Sequence, residues 1–499
     1  MSTRTDPAMW AGLFRISADS GQTLQAQIRQ AVVAAILDRQ IAISMPLPSC
    51  RILAERLGVA RGTVVLAFQQ LVDQGFLIAK ERRGHFVNPD VLTTPERGKN
   101  ETGTTSQKPA IDWAARRRIP ASDMPDPSKQ ENWIKSSYPF VYGQFDPALF
   151  PTAEWRECNR MALAVLEIRD WAADMVDRDD PLLIEQIQAR LLPRRGIFAN
   201  PDEIIVTLGA QNALYMLATL LMGRGTKVAM EEPGYPDARS IFRLARAEVV
   251  PVPVDQDGID PDAIPADCGF VFVTPSHHCP TMAVLSEERR QKLLADAEKH
   301  DRIIIEDGYD AQLVDDAPQQ ALHSVDRSGR VVDVGSLSKT LAPGLRLGYI
   351  VAPAGLITEL RALRRFMLRH PPANNQRAVA LFLSLGHHEA LVRRLSAAFS
   401  ERRSRLTQAI DAFLPDWRSP MVAGGTSVWL EGPPGTDTHA LARTAAARGV
   451  LIEPGARFFD RPELHPRFLR LGISSIALQH IEPGIRELVT ATGQRLAAA

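Results

Sequence analysis

Lys339 lies in the segment SLSKTLAPGLRLGY, behind Ser336 and Ser338 and seven residues ahead of Arg346. Two hydroxyls and a guanidinium suit phosphate oxygens, and an amine beside a bound phosphate suits a phosphorylated aldehyde. A lone Ser-x-Ser-Lys carries little weight, because most lysines are solvated surface charges. In RIIIEDGYD, Asp307 follows the apolar run Ile303-Ile304-Ile305. A carboxylate there is either a turn residue or the partner that keeps a pyridine nitrogen protonated, so that the ring can absorb electrons. Tyr309, two residues on, could hydrogen-bond a phenolic oxygen of the same ring. The run IIVTLGAQNALYMLATLL sets Gly209-Ala210-Gln211 between a strand and a helix, where free N–H groups bind phosphate. In EEPGYP, Tyr235 can stack on a flat ring or simply pack, and Arg470 in RFLRLGIS can grip a carboxylate or make a surface salt bridge. Each segment alone has an ordinary structural reading. Their order along the chain is the specific signal.

These groups need a frame, and the texture from about Tyr138 onward supplies one. Apolar runs at 203–209, 227–233, 248–255, 269–276, 302–309, 331–338 and 345–353 read as strands, with amphipathic stretches such as SEERRQKLLADAEKH between them. That alternation predicts a large α/β domain with a mainly parallel sheet, whose reactive groups sit beyond strand ends.

The first 87 residues have a different pattern. Residues 24–37 put Leu24, Ile28, Ala31, Val32 and Ala35 on one helical face. A second helix follows Pro48, with Ser49 as its N-cap and Gly58 as its stop. A third, in ARGTVVLAFQQLVDQG, carries Val64, Ala67, Phe68 and Leu71 at core spacing, and FLIAKERRGHFVNP reads as two short strands around an Arg82-Arg83-Gly84 tip. Helix, turn, helix, hairpin is a winged helix-turn-helix. Up to Val87, ten Lys and Arg face six acids, although the whole chain balances 58 against 58. A basic module on a neutral chain suits phosphate neutralisation by DNA binding. Residues 88–136, rich in Thr, Ser, Gly, Pro and charge, read as a flexible linker.

With 499 residues, 45% of them hydrophobic and 23% charged, the chain has a globular composition and room for more than one domain. Cys50, Cys158, Cys268 and Cys279 are scattered, which excludes a disulfide scaffold and leaves a zinc site unsupported. Isolated thiols, and the absence of a signal-peptide pattern in MSTRTDPAMW, lead to an expected cytoplasmic location. The uncharged stretch from Ile204 to Gly223 has membrane length, but Gly209, Gln211 and Asn212 in its middle favour a strand, a glycine turn and a buried helix.

The ordered set from Gly209 to Arg470 resembles fold type I pyridoxal-phosphate enzymes of the aspartate aminotransferase class over residues 138–495. LPSCRILAERLGVARGTVVLAFQQLVDQGF with RRGHFV resembles the GntR-type winged helix. The fusion, with phrases such as DPALFP, EEPGYPDAR, TPSHHCPTM and SLSKTLAPGLRLGY, resembles the MocR/GabR subfamily of bacterial transcription regulators.

That resemblance implies domains at 11–87 (winged helix), 88–136 (linker) and 137–499 (aminotransferase-like). It implies an internal aldimine on Lys339, Asp307 at the pyridine nitrogen, Tyr309 at the phenolic oxygen and Tyr235 on the ring. Ala210, Gln211, Ser336, Ser338 and Arg346 would surround the phosphate, and Arg470 would hold an effector's acidic group. Ser49, Arg51, Arg61, Thr63, Gly84 and His85 would touch operator DNA. The sequence departs from the family pattern at Pro280-Thr281-Met282, at Gly424-Gly425-Thr426-Ser427, and at Arg178-Asp179 before Asp180-Pro181. These lie where effector and partner-subunit contacts are expected, whereas His277 and His278 read as structural.

The expected function is a homodimeric, pyridoxal 5'-phosphate-dependent DNA-binding regulator with no membrane partner and no metal, sensing an amino compound through aldimine exchange at Lys339. The alternatives are an active aminotransferase with an accessory DNA-binding domain, for which half-reaction chemistry would suffice, and a sensor of the cofactor itself. Among relatives the effectors include γ-aminobutyrate, taurine and diamino acids from ectoine breakdown, and the YPFVYGQFDPALFP stretch leans to the last.

Overall fold

The computed structural model describes residues 21–41, 43, 45–81, 83–92, 111–117, 119, 121–124, 133–311, 320–419 and 425–493. Residues 11–20 of the expected winged helix, its tip residue Arg82, much of the expected linker, Gly424 and residues 494–499 lie outside them. The chain divides into two compact units, Met1–Ala115 and Arg116–Ala499, and the division falls inside the 88–136 stretch.

In the first unit, α1 (Leu24–Leu37) starts at Thr23, whose hydroxyl accepts from the Ala26 N–H. Its core face is Ile28, Val32, Ala35 and Ile36. Leu24, expected on that face, occupies the first helical position and is 41% exposed, and Ile36 is buried in its stead. The second helix, α2 (Cys50–Leu57), is capped by Ser49 Oγ and closed by Gly58 at φ +62°, a left-handed turn that glycine adopts without strain. The third, α3 (Arg61–Asp73), buries Val64, Ala67, Phe68 and Leu71. β1 (Leu77–Lys80) and β2 (Gly84–Val87) close the unit as an antiparallel hairpin. Three helices and a wing share one apolar core, as the spacing requires.

The first strand of the second unit is β3 (Tyr138–Pro139). Its main sheet holds β4 (Ile204–Thr207), β5 (Lys227–Glu232), β6 (Glu248–Asp255), β7 (Gly258–Ile259), β8 (Phe270–Val273), β9 (Ile303–Asp307), β10 (Val331–Ser336) and β11 (Gly348–Val351). The order is β4-β11-β10-β9-β8-β5-β6-β7, and all seven expected strands are present. β10, β9, β8, β5 and β6 run parallel, whereas β11 is antiparallel to both β10 and β4, and β7 to β6. β4 therefore runs in the same direction as β10. Strands buried on both faces read as unbroken apolar runs, which is why Ile304, Ile305, Val332 and Val334 were legible as strand residues. The Ile204–Gly223 stretch is β4, a turn at Gly209, and the helix α4 (Ala210–Leu221). No described helix is long and apolar enough to cross a membrane.

A smaller sheet follows, made of β12 (Ser427–Glu431), β14 (Glu453–Pro454) and β15 (Phe468–Gly472) in the order β12-β15-β14. β13 (Val450–Leu451) pairs with β3. Helices His387–Phe413 and Leu478–Ala491 pack on each other, the second also against β13 and β3.

Candidate cofactor site

Because β4, β5, β9 and β10 point the same way, their carboxyl ends share one edge of the sheet. The loops beyond those ends carry the expected groups, the usual place for a ligand in such sheets. Asp307 is the last residue of β9 and Ser336 the last of β10. Tyr235 follows β5 and immediately precedes α5 (Pro236–Leu244). Gly209 follows β4 at φ +81° and opens α4, so the first N–H groups of that helix, at Ala210 and Gln211, face outward. A Cβ on Gly209 would come 3.4 Å from the Arg346 guanidinium, and one on Gly335 would sit 2.1 Å from the Tyr349 ring, so β10 and β11 pack there only around glycine.

One cavity of about 450 Å³ collects these groups. Ala210, Gln211, Tyr235, Asp307, Tyr309, Ser336, Ser338, Lys339, Arg346 and Arg470 all line it. Lys339 Nζ stands 4.5 Å from the ring centre of Tyr142 and 5.8 Å from that of Tyr309. Burial lowers its pKa, against the opposing pull of Asp310. Asp307 is 3% exposed, and its carboxyl is pushed up to about 7 by burial. Its Oδ1 has no hydrogen-bond partner among the described residues. A buried carboxylate with an idle oxygen calls for a cationic donor, and a protonated ring nitrogen is one.

At the phosphate end, Arg346 is held at φ +50°, an uncommon conformation for arginine, and donates from Nη2 to the Leu208 carbonyl at 3.0 Å. The Ser338 hydroxyl bonds to the Leu347 carbonyl and accepts from the Leu347 N–H, so the backbone fixes it in place. The Tyr235 hydroxyl donates to Asp237 Oδ2 at 3.1 Å, and the Tyr309 hydroxyl donates to the His277 carbonyl at 3.0 Å. Hydroxyls, a guanidinium and helix N–H groups for a phosphate, an amine for an aldehyde, and a carboxylate for a ring nitrogen fit a single molecule.

Arg470, in the middle of β15, is 4% exposed and not on the surface. Its Nε donates to Glu453 Oε2 at 2.6 Å, and its guanidinium lies 3.9 Å from the Tyr142 ring centre. Burial disfavours its charge, but Glu453 more than restores it.

The aminotransferase class I and II family model matches residues 158–487, and the model of bacterial regulatory proteins of the gntR family matches residues 24–87. The HTH-type transcriptional regulator TauR of Rhodobacter capsulatus is 45% identical, covering 95% of this chain and 98% of that protein. The chain belongs to the MocR-type GntR regulators. The probable rhizopine catabolism regulatory protein MocR of Rhizobium meliloti is 29% identical over 92% of this chain and 94% of its own length. Among solved structures, LysN, an α-aminoadipate aminotransferase of Thermus thermophilus complexed with N-(5'-phosphopyridoxyl)-L-leucine, matches with TM-score 0.69 at 25% identity, covering 77% of this chain and 98% of that one. A kynurenine aminotransferase of Pyrococcus horikoshii shares the fold, with TM-score 0.70 at 23% identity, covering 78% of this chain and 99% of that one. Pyridoxal 5'-phosphate is the cofactor of this MocR-type chain, a transcription regulator whose second unit has the fold type I aminotransferase fold.

Several pocket residues of this MocR-type chain carried no assigned role in the sequence. Tyr142, Cys279 and Asp310 lie in segments already notable for their neighbours, YPFVYGQFDP, TPSHHCPTM and RIIIEDGYD. Asp310 is buried, pushed up to about 7 by burial, and accepts from the Thr426 hydroxyl at 3.3 Å. Cys279 Sγ lies 3.7 Å from Arg470 Nη1, and burial pushes its thiol up to about 11. His277 and His278 are both buried, His277 Nδ1 3.7 Å from Asp310 and His278 Nε2 3.6 Å from Glu231. Met282 is held at φ +64° with its sulfur against Gly425. Asp179, at another departure, pairs with Arg361 and Arg364 and so serves the packing of the unit.

In the winged helix, Arg51 and Arg61 are exposed at the starts of α2 and α3, with Thr63 half-buried and Gly84 exposed at φ +93°. Ser49 Oγ is engaged as the α2 cap. The His85 ring packs edge-on against Phe68 at 5.1 Å, a packing contact that sequence spacing did not reveal.

Proposed function

We propose that this chain senses a primary amine bearing an acidic group and converts its arrival into a change in operator binding. The observation that carries the reading is the convergence of Lys339, Asp307 and Arg470 on one cavity. Pyridoxal phosphate, when bound, supplies an aldehyde for primary amines and a ring that takes up electrons. Lys339 supplies the resident amine, and its lowered pKa keeps a larger share of Nζ neutral and nucleophilic. Asp307 holds the ring nitrogen and its proton. Tyr309, Tyr235, Ala210, Gln211, Ser336, Ser338 and Arg346 orient the ring and phosphate, and burial keeps both phenols neutral. Arg470 orients the incoming amine by its carboxylate or sulfonate.

An amine that competes with Lys339 Nζ frees that side chain, which changes the charge and contacts inside the cavity. The equilibrium of the regulator shifts only as far as the effector prefers one state over the other. On this reading residues 11–87 bind DNA, 88–136 link, and 137–499 sense. Ser49, Arg51, Arg61, Thr63, Gly84 and His85 belong to the DNA-facing side. Two copies read two half-sites, and the exposed apolar side chains of Val165 (70%) and Leu166 (73%) suit a contact between copies. Lys339 also stands ready to move a proton, so half of a transamination is within its reach.

Borohydride treatment of cofactor-supplied protein should fix the cofactor on Lys339 Nζ. An acidic amine should change the visible absorbance and the operator affinity over the same concentration range. A colourless protein, or an operator affinity indifferent to every acidic amine, overturns the reading.

A further inference from the structure

Beside Arg346 and Arg470, Arg457 is a third guanidinium in the cavity wall, placed by the 3-10 turn Ala456–Phe458 just after β14. Glu453 on β14 is the direct cross-strand partner of Arg470 on β15, which brings the two side chains together on one face of the small sheet. Each oxygen of Glu453 then holds one arginine: Oε2 accepts from Arg470 Nε and Oε1 from Arg457 Nη2. Both guanidiniums also lie against the Phe458 ring, Arg470 at 4.5 Å and Arg457 at 5.2 Å from its centre. A guanidinium carries five N–H donors in a fixed fork, and one shared carboxylate cannot occupy two forks. Arg457 Nε has no hydrogen-bond partner among the described residues, and Arg470 Nη1 faces only the weak acceptor Cys279 Sγ. Idle donors in a dry wall favour an incoming anion, because burying them unmatched costs free energy. Asp237, also on the wall, is bonded to Tyr235 and Gln211, and its charge acts on Arg457 as well.

We propose that Arg457 and Arg470, bridged by Glu453, form a two-guanidinium subsite for the effector's acidic group, with Arg457 setting the preference for a carboxylate or sulfonate over an uncharged tail. The proposal rests on the reading of the cavity as an acidic-amine sensor. Arg470 gives its Nε edge to Glu453 and keeps its Nη side for the ligand. Arg457 adds donors from a second direction, and Glu453 positions both forks.

The test titrates the visible absorbance of cofactor-loaded full-length protein with 2-aminoethanesulfonate, 4-aminobutanoate and propylamine. Wild type should half-saturate with the acidic amines at lower concentration than with propylamine. Arg457→Gln should weaken the acidic amines by about tenfold, the loss of one charge-assisted contact, and leave propylamine unchanged. Arg457→Lys, which keeps the charge and loses the fork, should fall between and decides the matter if Arg457→Gln does not hold the cofactor. A shift equal for propylamine and the acids marks a structural role and overturns the proposal. If Arg470→Gln erases the preference while both Arg457 variants keep it, the two-guanidinium subsite fails and the acidic-amine reading survives. If wild type itself shows no preference, both fall.

Discussion

The two units of this chain solve opposite problems. The winged helix buries Ile28, Val32, Phe68, Leu71 and their neighbours and keeps Arg51 and Arg61 in water. The cofactor cavity gathers charge: buried Asp307, Asp310 and Arg470 and half-buried Lys339 lie inside it or against it. Buried apolar groups stabilise a fold without help from a ligand. Buried charges cost free energy until something meets them. Asp307 has an idle oxygen, and Arg457 an idle nitrogen. The first unit is therefore complete as a fold, whereas the second is built around a molecule it must acquire. An input that alters the second unit's ligand can act without any demand on the first unit's core.

The contrast breaks most openly at Lys339. Lys339→Ala should abolish the cofactor's lysine-linked absorbance and the amine response altogether, while basal operator binding stays at the wild-type level by gel shift. A retained amine response would show that this amine is not where sensing occurs. The reciprocal change is Phe68→Ala, which removes the largest fully buried ring of the winged-helix core. Its cost of about 3–5 kcal/mol approaches the whole stability of a small domain, so operator binding should disappear. The cofactor spectrum should not move. If both properties fall together, the two units do not fold as independently as their separate cores imply.

How far each unit could be read from sequence follows the same division. In the winged helix the information is local. Ser49 caps α2 by accepting from the Ile52 N–H three residues on, Gly58 ends that helix at once, and the spacing Val64, Ala67, Phe68, Leu71 is one turn of helix repeated. Leu24 misled because a periodic face does not reveal where a helix overhangs its core. In the cofactor unit the strands were legible because they are apolar on both faces, Asp307 because it ends such a strand, and Lys339 because it closely follows one. Tyr142, Asp310, Glu453 and Arg457 were not. Glu453 meets Arg470 through strand pairing across 17 residues, and Tyr142 reaches Lys339 across nearly two hundred, relations that no spacing rule encodes. The packing of the His85 ring on Phe68 is another such relation.

A middle-sized effect belongs to pH. Burial raises the Asp307 carboxyl from 3.8 to about 7, so the cofactor-free fold holds a proton that the unfolded chain gives up near pH 4. This residue therefore subtracts stability progressively as pH rises from about 4 through 7, and the loss is complete above that. Asp310, also raised to about 7, and Glu231, raised to about 8, add in the same direction. Asp307→Asn should stabilise the cofactor-free protein at pH 8, by about 1–4 kcal/mol, and leave it unchanged at pH 4. The same variant should lose the cofactor on dialysis far faster than wild type. Melting temperatures at the two pH values, with and without cofactor, measure both. A cofactor-free Asp307→Asn protein no more stable than wild type at pH 8 would mean that the carboxylate is already satisfied, and the comparison between the units would lose its basis.

The smallest effect tests the winged helix where it meets water. Arg51 follows the capped first residue of α2 and is exposed. Its removal takes away one phosphate or base-edge contact and no core packing, so Arg51→Ala should weaken operator binding by about 1–3 kcal/mol. A phosphate contact and a base contact then separate by experiment. Loss of a phosphate contact weakens all sequences alike and lowers the salt slope by about one ion, whereas loss of a guanine contact relaxes discrimination at one position. In either case the amine response should keep its half-saturation concentration, because nothing in the cavity has changed. A shifted half-saturation would be the more instructive result, since linkage demands that a residue altering effector affinity through DNA binding also alter DNA affinity through effector binding by the same factor.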